Sequence, residues 1–137
     1  MLAYKGSSSA IFKIDKSMPS RYGIKCLFFA SNVELAKLYA IHHCNTARSF
    51  AGGYVHKIEI SDPVNEYDFN HGSSYCKEFR NLVYSLFKQN HKAVRIINVF
   101  DYPSEKLMYH NGSDVIIVFD FSCIQSVNII LSGIHIT

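Results

Sequence analysis

The sequence has few charged residues and no long apolar run, and both shortages exclude whole classes of protein. Charged residues make up 18% of the 137, against 48% hydrophobic residues, which predicts a globular chain rather than a disordered one. No apolar run approaches the roughly 20 residues of a membrane helix. The stretch MLAYKGSSSA lacks the apolar core of a secretory signal. We therefore expect one domain over residues 1–137, cytoplasmic in the producing or target cell, with no membrane partner.

The sequence also lacks the residue spacings of common catalytic and metal sites. It contains no C-x-x-C, H-E-x-x-H, G-x-S-x-G or Walker spacing, so we expect no metal. His42, His43 and Cys44 are adjacent, but consecutive helical residues point about 100° apart and cannot all face one ion. Despite a net charge of +3, Lys and Arg form no dense cluster, which favours a solvated surface over a nucleic-acid footprint. Four scattered cysteines are typical of reduced, buried thiols.

Three apolar segments in the C-terminal part predict consecutive buried strands. They are Ala93–Phe100, Val115–Phe119 and Val127–Leu131, each short, rich in Val and Ile, and bounded by turn-forming residues. The loop Asp101–Ser113 joins the first two and contains the turn formers YP and NGSD. A polar loop at the end of a buried core is a common place for a binding site.

The front of the chain predicts further strands with polar connections. Leu2–Tyr4, Cys26–Ala30 and Tyr54–Ile60 have strand patterns. Lys5–Ser9 is interpreted as a flexible turn of small residues, and Asn65–Gly72 as polar and irregular.

Two connecting stretches complete this part of the chain. Residues 10–15 alternate between apolar and polar side chains, which fits either an edge strand or a clamped loop. Ser17–Gly23 reads as a loop. Both stretches lie between the first two predicted strands.

A first helix is predicted from Ser31 to about Cys44. Ser31 and Glu34 have the S-x-x-E spacing of a capping box. Val33, Ala36 and Ala40 then fall on one face, as expected of a helix that packs against a sheet.

A second helix is the clearest element of the pattern. Ser73 or Ser74 is expected to cap it, Tyr75 lies one turn before its apolar face, and Asn90 can end it. Its apolar residues follow the spacing i, i+3, i+4, i+7, i+8: Phe79, Leu82, Val83, Leu86 and Phe87. Together the segments predict an α+β domain with a mixed or mostly antiparallel sheet and two main helices.

Four segments, in order, resemble the ADP-ribosyltransferase superfamily of small bacterial and phage domains. AYKGSS resembles the family's first strand, which ends in YHGS or YHGT, and GIKCLFFASNVELAKLYA resembles its glycine, strand and helix. YVHKIEISDP resembles the next strand, which is followed by a proline. The last segment resembles the end of the family's domain; it is NGSDVIIVFDFSCIQSVNI, preceded by AVRIINV. The ordered set covers nearly the whole chain and is more specific than any one motif.

The resemblance implies a split sheet whose halves form a cleft for NAD. It also implies mono-ADP-ribosyltransfer from NAD, as a substrate, to a macromolecular acceptor, with a protein favoured over a nucleic acid. A toxin, an effector or a phage counter-defence protein, such as an anti-CRISPR-type inhibitor, is the context that the analogy suggests.

The resemblance also assigns site residues. Lys5 stands where the family has a His or Arg at the adenosine ribose, and Phe28 stands where a Tyr stacks on nicotinamide. An acidic residue is expected at the start of the VIIVFD strand, where Val115 falls and Asp114 is its neighbour. Asp114 is the candidate catalytic residue if the strand begins there or bulges, and is otherwise a turn residue. The candidate cofactor-binding residues are Tyr4, Lys5, Gly6, Ser7, Phe28, Phe29, Ala30 and Tyr39.

Two other hypotheses stay open. The substitutions at Lys5, Phe28 and Val115 fit a catalytically impaired fold that binds NAD, ADP-ribose or a partner protein without chemistry. An NAD glycohydrolase, in which water replaces the acceptor, has the same sequence pattern. A carboxylate near the nicotinamide ribose would distinguish an enzyme from a binding module.

Overall fold

A computed structural model describes residues 1–12, 23–48, 51–61 and 64–135. Within these residues seven strands form one sheet that carries two helices, as the sequence predicts for an α+β domain. The predictions for 13–15 and 17–22 lie outside the described residues. The strands are β1 Leu2–Ser7, β2 Leu27–Ala30, β3 Gly53–Ile60, β4 Asn65–Ser73, β5 Ala93–Phe100, β6 Ser113–Val118 and β7 Ile124–Ile134; the helices are α1 Val33–Ala47 and α2 Lys77–Lys88.

The sheet has the strand order β4-β5-β6-β2-β1-β3-β7. Only β4 and β5 are parallel among these neighbours, so the sheet is mixed. Between β1 and β2 there is a single register pair, Tyr4 with Ala30, whereas β1 and β3 have six and β2 and β6 have four. The sheet is therefore least connected between β1 and β2.

Three apolar clusters hold the layers together. The first joins α2 to β5 and β6, the second joins β1 and β3 to β5 and β6, and the third seats α1 on β2 and β3. The second cluster takes side chains from strands on both sides of the join between β1 and β2, so it spans that join. None of the helices within the described ranges is long and apolar enough to cross a membrane.

Two glycines let α1 lie unusually close to the sheet. A Cβ atom on Gly6 would lie 2.0 Å from the carbonyl oxygen of Ala36 and 2.5 Å from the backbone nitrogen of Ala40. A Cβ atom on Gly53 would lie 2.9 Å from that of Ala40. Because any side chain at Gly6 would collide with helix backbone, this glycine fixes the position of α1 and of Tyr39, which α1 carries.

The strand predictions are confirmed for most of the sheet, and Ala93–Phe100 has the predicted bounds. The prediction for Asn65–Gly72 is wrong, because this segment is the edge strand β4. Its polar residues are rare in strands, but Tyr67 and Phe69 alternate with them and pack against the first cluster. A register shift with positive φ at Asn70 and His71 interrupts the ladder. The turn predicted at Lys5–Ser9 is likewise shorter, because β1 continues to Ser7.

Both predicted N-caps are wrong, and Ser31 and Ser74 bond to distant segments instead. Asn32 caps α1, since its side chain accepts a hydrogen bond from the Leu35 backbone N–H at 2.8 Å. The Ser31 hydroxyl instead accepts from the backbone N–H of Asp114 at 3.2 Å, which ties β2 to β6.

At the second helix, Cys76 occupies the cap position without a side-chain hydrogen bond. The Ser73 hydroxyl accepts from the Tyr75 backbone N–H at 3.1 Å, and Ser74 donates to Asp101 at 2.7 Å. Asn90 ends the helix as predicted: its φ is +61°, and its N–H donates to the Phe87 carbonyl at 3.0 Å.

Candidate functional site

A cavity of about 230 Å³ opens where β1 and β2 share their single register pair. Its walls come from β1, from the segment 26–30 that includes β2, and from α1. The start of α2 and the residue that follows β5 close it. Apolar and aromatic side chains predominate, with a few polar groups among them, which is the usual composition of a small-molecule site.

Seven of the eight predicted cofactor-binding residues line this cavity: Tyr4, Lys5, Gly6, Phe28, Phe29, Ala30 and Tyr39. Ser7 does not. Its hydroxyl donates to the carbonyl of Ser9 at 2.7 Å and lies 3.1 Å from Nε2 of His56, a histidine that is 1% exposed. The fold thus brings together residues that the resemblance assigned from three separate segments. Their binding role stays a prediction.

Lys5 and Phe28 connect the two strands beside the cavity. The Lys5 ammonium donates to the Phe28 carbonyl at 3.3 Å, so this side chain crosses from β1 to β2 beside their single register pair. Phe28 is half-buried, whereas Phe29 is 3% exposed within the second apolar cluster. Both rings line the cavity, and Phe29 is also part of the core.

Asp101 is the acidic residue among the described residues that line the cavity. It directly follows β5 and is 7% exposed. The Tyr39 hydroxyl donates to both carboxylate oxygens, at 2.8 and 2.9 Å, and the Ser74 hydroxyl donates to Oδ1 at 2.7 Å. Two neutral hydroxyls, of which that of Tyr39 is shared between the two oxygens, satisfy the buried carboxylate and fix its orientation.

Asp114, the predicted catalytic residue, lies elsewhere. It is the second residue of β6, and its neighbour Val115 is the one that faces the cavity, as alternation along a strand requires. The Asp114 carboxylate instead accepts from Arg95, from Nε at 2.7 Å and also from Nη2. Glu66 adds a longer contact to the same guanidinium at 3.9 Å. A catalytic role for Asp114 stays a prediction, and the cavity geometry gives it no support.

The sequence interpretation missed Asp101 and gave Ser74 only a capping role. A signal was present for Asp101: it is the first residue after a buried strand, and it begins the polar loop that was expected to carry a binding site. No comparable signal marks Ser74, because its partner is 27 residues away along the chain.

Two further properties of the site concern ligand chemistry. In the parts of the chain that the structure describes, no three His, Cys, Asp or Glu side chains are grouped as ligands of one metal ion would be. His43 also lines the cavity, and its ring stacks on Tyr39 with centroids 6.3 Å apart. At the next residue of α1, burial raises the pKa of the Cys44 thiol, which disfavours a reactive thiolate.

No family model, curated protein or solved structure matches the chain. Lys5 offers a cation on one wall and Asp101 offers a fixed carboxylate on another, with aromatic rings around both. Such a site suits a ligand that has an anionic group, a planar ring and a centre on which positive charge develops.

Proposed function

We propose that the protein is an NAD-dependent mono-ADP-ribosyltransferase that holds NAD in this cavity and modifies a protein. The observation that carries the proposal is Asp101, a buried carboxylate that two hydroxyls hold in a cavity at the weakest join of the sheet. In the superfamily that the motifs resemble, the sheet is split and NAD occupies the cleft. The single register pair between β1 and β2 is consistent with such a split.

The charges and rings of the cavity suit the parts of NAD. The diphosphate of NAD is anionic and suits the ammonium of Lys5. Its nicotinamide ring is planar and positively charged, and suits stacking on an aromatic ring such as Phe28. A volume of about 230 Å³ is below the roughly 300–1,000 Å³ of pockets for whole drug-sized ligands. We therefore assign the nicotinamide riboside half to the interior and the adenosine half to the open side.

The carboxylate of Asp101 has a defined task in the reaction. The bond between the anomeric carbon of the ribose and the nicotinamide nitrogen breaks, and nicotinamide leaves as a neutral molecule with the bonding electron pair. Positive charge develops on the ribose, where a pre-oriented carboxylate lowers the barrier. A nucleophilic atom of the acceptor then bonds to the anomeric carbon and releases its proton to water.

A binding module without catalysis is the second candidate, and the surroundings of Asp114 favour it. Arg95 holds that carboxylate by two hydrogen bonds, and Val115 stands at the position where the resemblance expects an acid. If Asp101 does not act on the ribose, the same cavity would bind NAD or ADP-ribose and leave it intact. A glycohydrolase would use the same residues with water as the acceptor.

The deciding experiment incubates the purified protein with NAD and follows free nicotinamide, alone and with a cell lysate. Release that requires the lysate, together with a labelled protein band, would support the transferase. Release without an acceptor would support a glycohydrolase instead. If NAD raises the thermal midpoint without release, the binding module is the better account. If NAD neither binds nor reacts, all three functions are wrong.

A matched pair of variants tests whether NAD occupies the cavity. Lys5→Met removes the cation from the lining, while Lys37→Met removes an exposed lysine of α1 that pairs with Glu34. We expect Lys5→Met to weaken NAD binding about tenfold in calorimetry, because a charge-assisted hydrogen bond is lost. Lys37→Met should leave the affinity unchanged. Equal affinities of both variants would place NAD outside the cavity.

A further inference from the structure

Asn111 and Gly112 form an Asn-Gly pair on the surface of the loop that leads into β6. Both residues are exposed, and in the part of the chain that the structure describes the Asn111 side chain makes no hydrogen bond. Apart from its chain neighbours, a Cβ atom on Gly112 would have one atom of the described residues within 4 Å, at 3.9 Å. The side-chain amide of Asn111 can therefore turn towards the backbone of Gly112 without displacing a neighbour.

An asparagine followed by glycine has an intrinsic reaction. The backbone nitrogen of the glycine attacks the side-chain amide carbon of the asparagine. A new C–N bond closes a succinimide ring, and the amide nitrogen leaves as ammonia. Water then opens the ring at either carbonyl, which yields aspartate or isoaspartate. A side chain on the second residue hinders this attack, and glycine permits it because it lacks a Cβ atom and has wide conformational freedom.

The atom that lies beside Gly112 is Nδ1 of His71. His71 belongs to the irregular part of β4, where its φ is +64° and its ring centroid lies 6.2 Å from that of Phe100. Closure of the succinimide ring requires that the Gly112 nitrogen lose its proton, and an imidazole nitrogen is the commonest group in proteins for taking one up. His110, although it adjoins Asn111 in the sequence, is not within 4 Å of the same position.

A carboxylate close to His71 favours proton uptake by its ring. Asp68 accepts hydrogen bonds from the Asn70 backbone N–H at 2.7 Å and from the Asn98 side chain at 3.1 Å. The pKa of Asp68 lies below its ordinary value, chiefly because of the Asn70 hydrogen bond, with a smaller contribution from the charge of His71. An ionised carboxylate beside an imidazole stabilises the imidazolium ion that forms.

We propose that Asn111 is a site of self-catalysed deamidation in which His71 acts as the base. His71 takes the Gly112 N–H proton directly or through one water, and the Gly112 nitrogen bonds to Cγ of Asn111. The proton passes to the amide nitrogen, which leaves as ammonia, and water opens the ring. The product carries a new negative charge at position 111, and its isoaspartyl form lengthens the backbone by one CH2 group before β6. This modification does not depend on the function of the cavity.

The test incubates the protein at neutral pH and follows residue 111 by peptide mass spectrometry, with the same protein in urea as the reference. We expect Asn111 to react faster in the folded protein than in urea, and Asn81, an exposed asparagine of α2 that leucine follows, to stay intact. Gly112→Ala should slow the reaction about tenfold in both states, because the added Cβ hinders the attack. A slower reaction in the folded protein than in urea would overturn the proposal.

A pair of histidine variants isolates the role of His71. His71→Gln should slow the reaction of the folded protein about tenfold and leave the rate in urea unchanged, because only the fold brings the ring to Gly112. His110→Gln is the matched control and should change neither rate, since His110 is near Asn111 in sequence but lies farther from Gly112. Circular dichroism checks that each variant is folded. If folded His71→Gln reacts as fast as the unmodified protein, His71 is not the base.

Discussion

Two aspartates at opposite ends of one loop have opposite surroundings. Asp101 begins the loop after β5, lines the cavity and takes its hydrogen bonds from the neutral hydroxyls of Tyr39 and Ser74. Asp114 lies just after the loop, on the face of β6 turned away from the cavity, and takes its hydrogen bonds from the guanidinium group of Arg95. Hydroxyl donors orient a carboxylate without cancelling its charge, whereas a guanidinium group neutralises it. We therefore propose that Asp101 serves the chemistry and that Asp114 stabilises the fold.

The largest expected difference between the two aspartates is in turnover. Asp101→Asn keeps the size of the side chain and removes the charge that the proposed function places beside the ribose. We expect nicotinamide release to fall by about 10²–10³, the usual loss when one group that stabilises developing charge is removed. The rate should be measured at saturating NAD, with the folded fraction checked by circular dichroism.

Asp114→Asn is the matching change at the other aspartate. It should leave the rate of nicotinamide release within about threefold of the unmodified protein, because Val115, and not Asp114, faces the cavity. If Asp114→Asn abolishes nicotinamide release while Asp101→Asn stays active, the sequence hypothesis that Asp114 is the catalytic residue would be restored. A loss in both variants would mean that the loop between them moves as one unit.

The sequence predicted the apolar elements well because their patterns are local. Ala93–Phe100 is a mostly apolar strand, and α2 has a full helical repeat from Phe79 to Phe87. The cavity residues on β1, β2 and α1 came from the family resemblance. Asp101 was missed because its significance depends on Tyr39 and Ser74, which lie 62 and 27 residues away along the chain. The predicted caps failed for the same reason, since Ser31 and Ser74 bond to distant segments.

The next largest effect is expected at the helix that carries Tyr39. Gly6→Ala places a Cβ atom 2.0 Å from the Ala36 carbonyl oxygen, so α1 must move away from β1. We expect a loss of about 3 kcal/mol in the free energy of unfolding, together with reduced turnover because Tyr39 shifts relative to Asp101. Urea unfolding measures the first and nicotinamide release the second.

A matched glycine checks this interpretation. A Cβ atom on Gly112 would have its nearest contact at 3.9 Å, from the ring of His71, so Gly112→Ala should change stability by less than about 1 kcal/mol. If Gly6→Ala lowers the free energy of unfolding no more than Gly112→Ala does, the close approach of α1 to β1 does not constrain the site.

The ion pair of Asp114 should matter for stability and not for turnover. Arg95→Met leaves a carboxylate that is 20% exposed without its guanidinium partner. We expect the free energy of unfolding to fall by about 1–2 kcal/mol. This is less than the cost of breaking a fully buried pair, because both groups still contact solvent. A double-mutant cycle with Asp114→Asn isolates the pairwise energy. Turnover per folded molecule that falls with Arg95→Met would contradict the structural role of this pair.

The smallest expected effect concerns the hydroxyls that hold Asp101. Tyr39→Phe removes one donor and keeps the ring against the cavity, while the Ser74 hydrogen bond at 2.7 Å remains to orient the carboxylate. We expect the rate at saturating NAD to fall about threefold to tenfold, which corresponds to one net hydrogen bond. Ser74→Ala should have a similar effect. The rate of the double variant should fall further than that of either single variant, since the Asp101 carboxylate would then rotate freely. If Tyr39→Phe instead costs as much as Asp101→Asn, the hydroxyl itself contacts the reacting ribose, and the two groups act on the substrate as one unit.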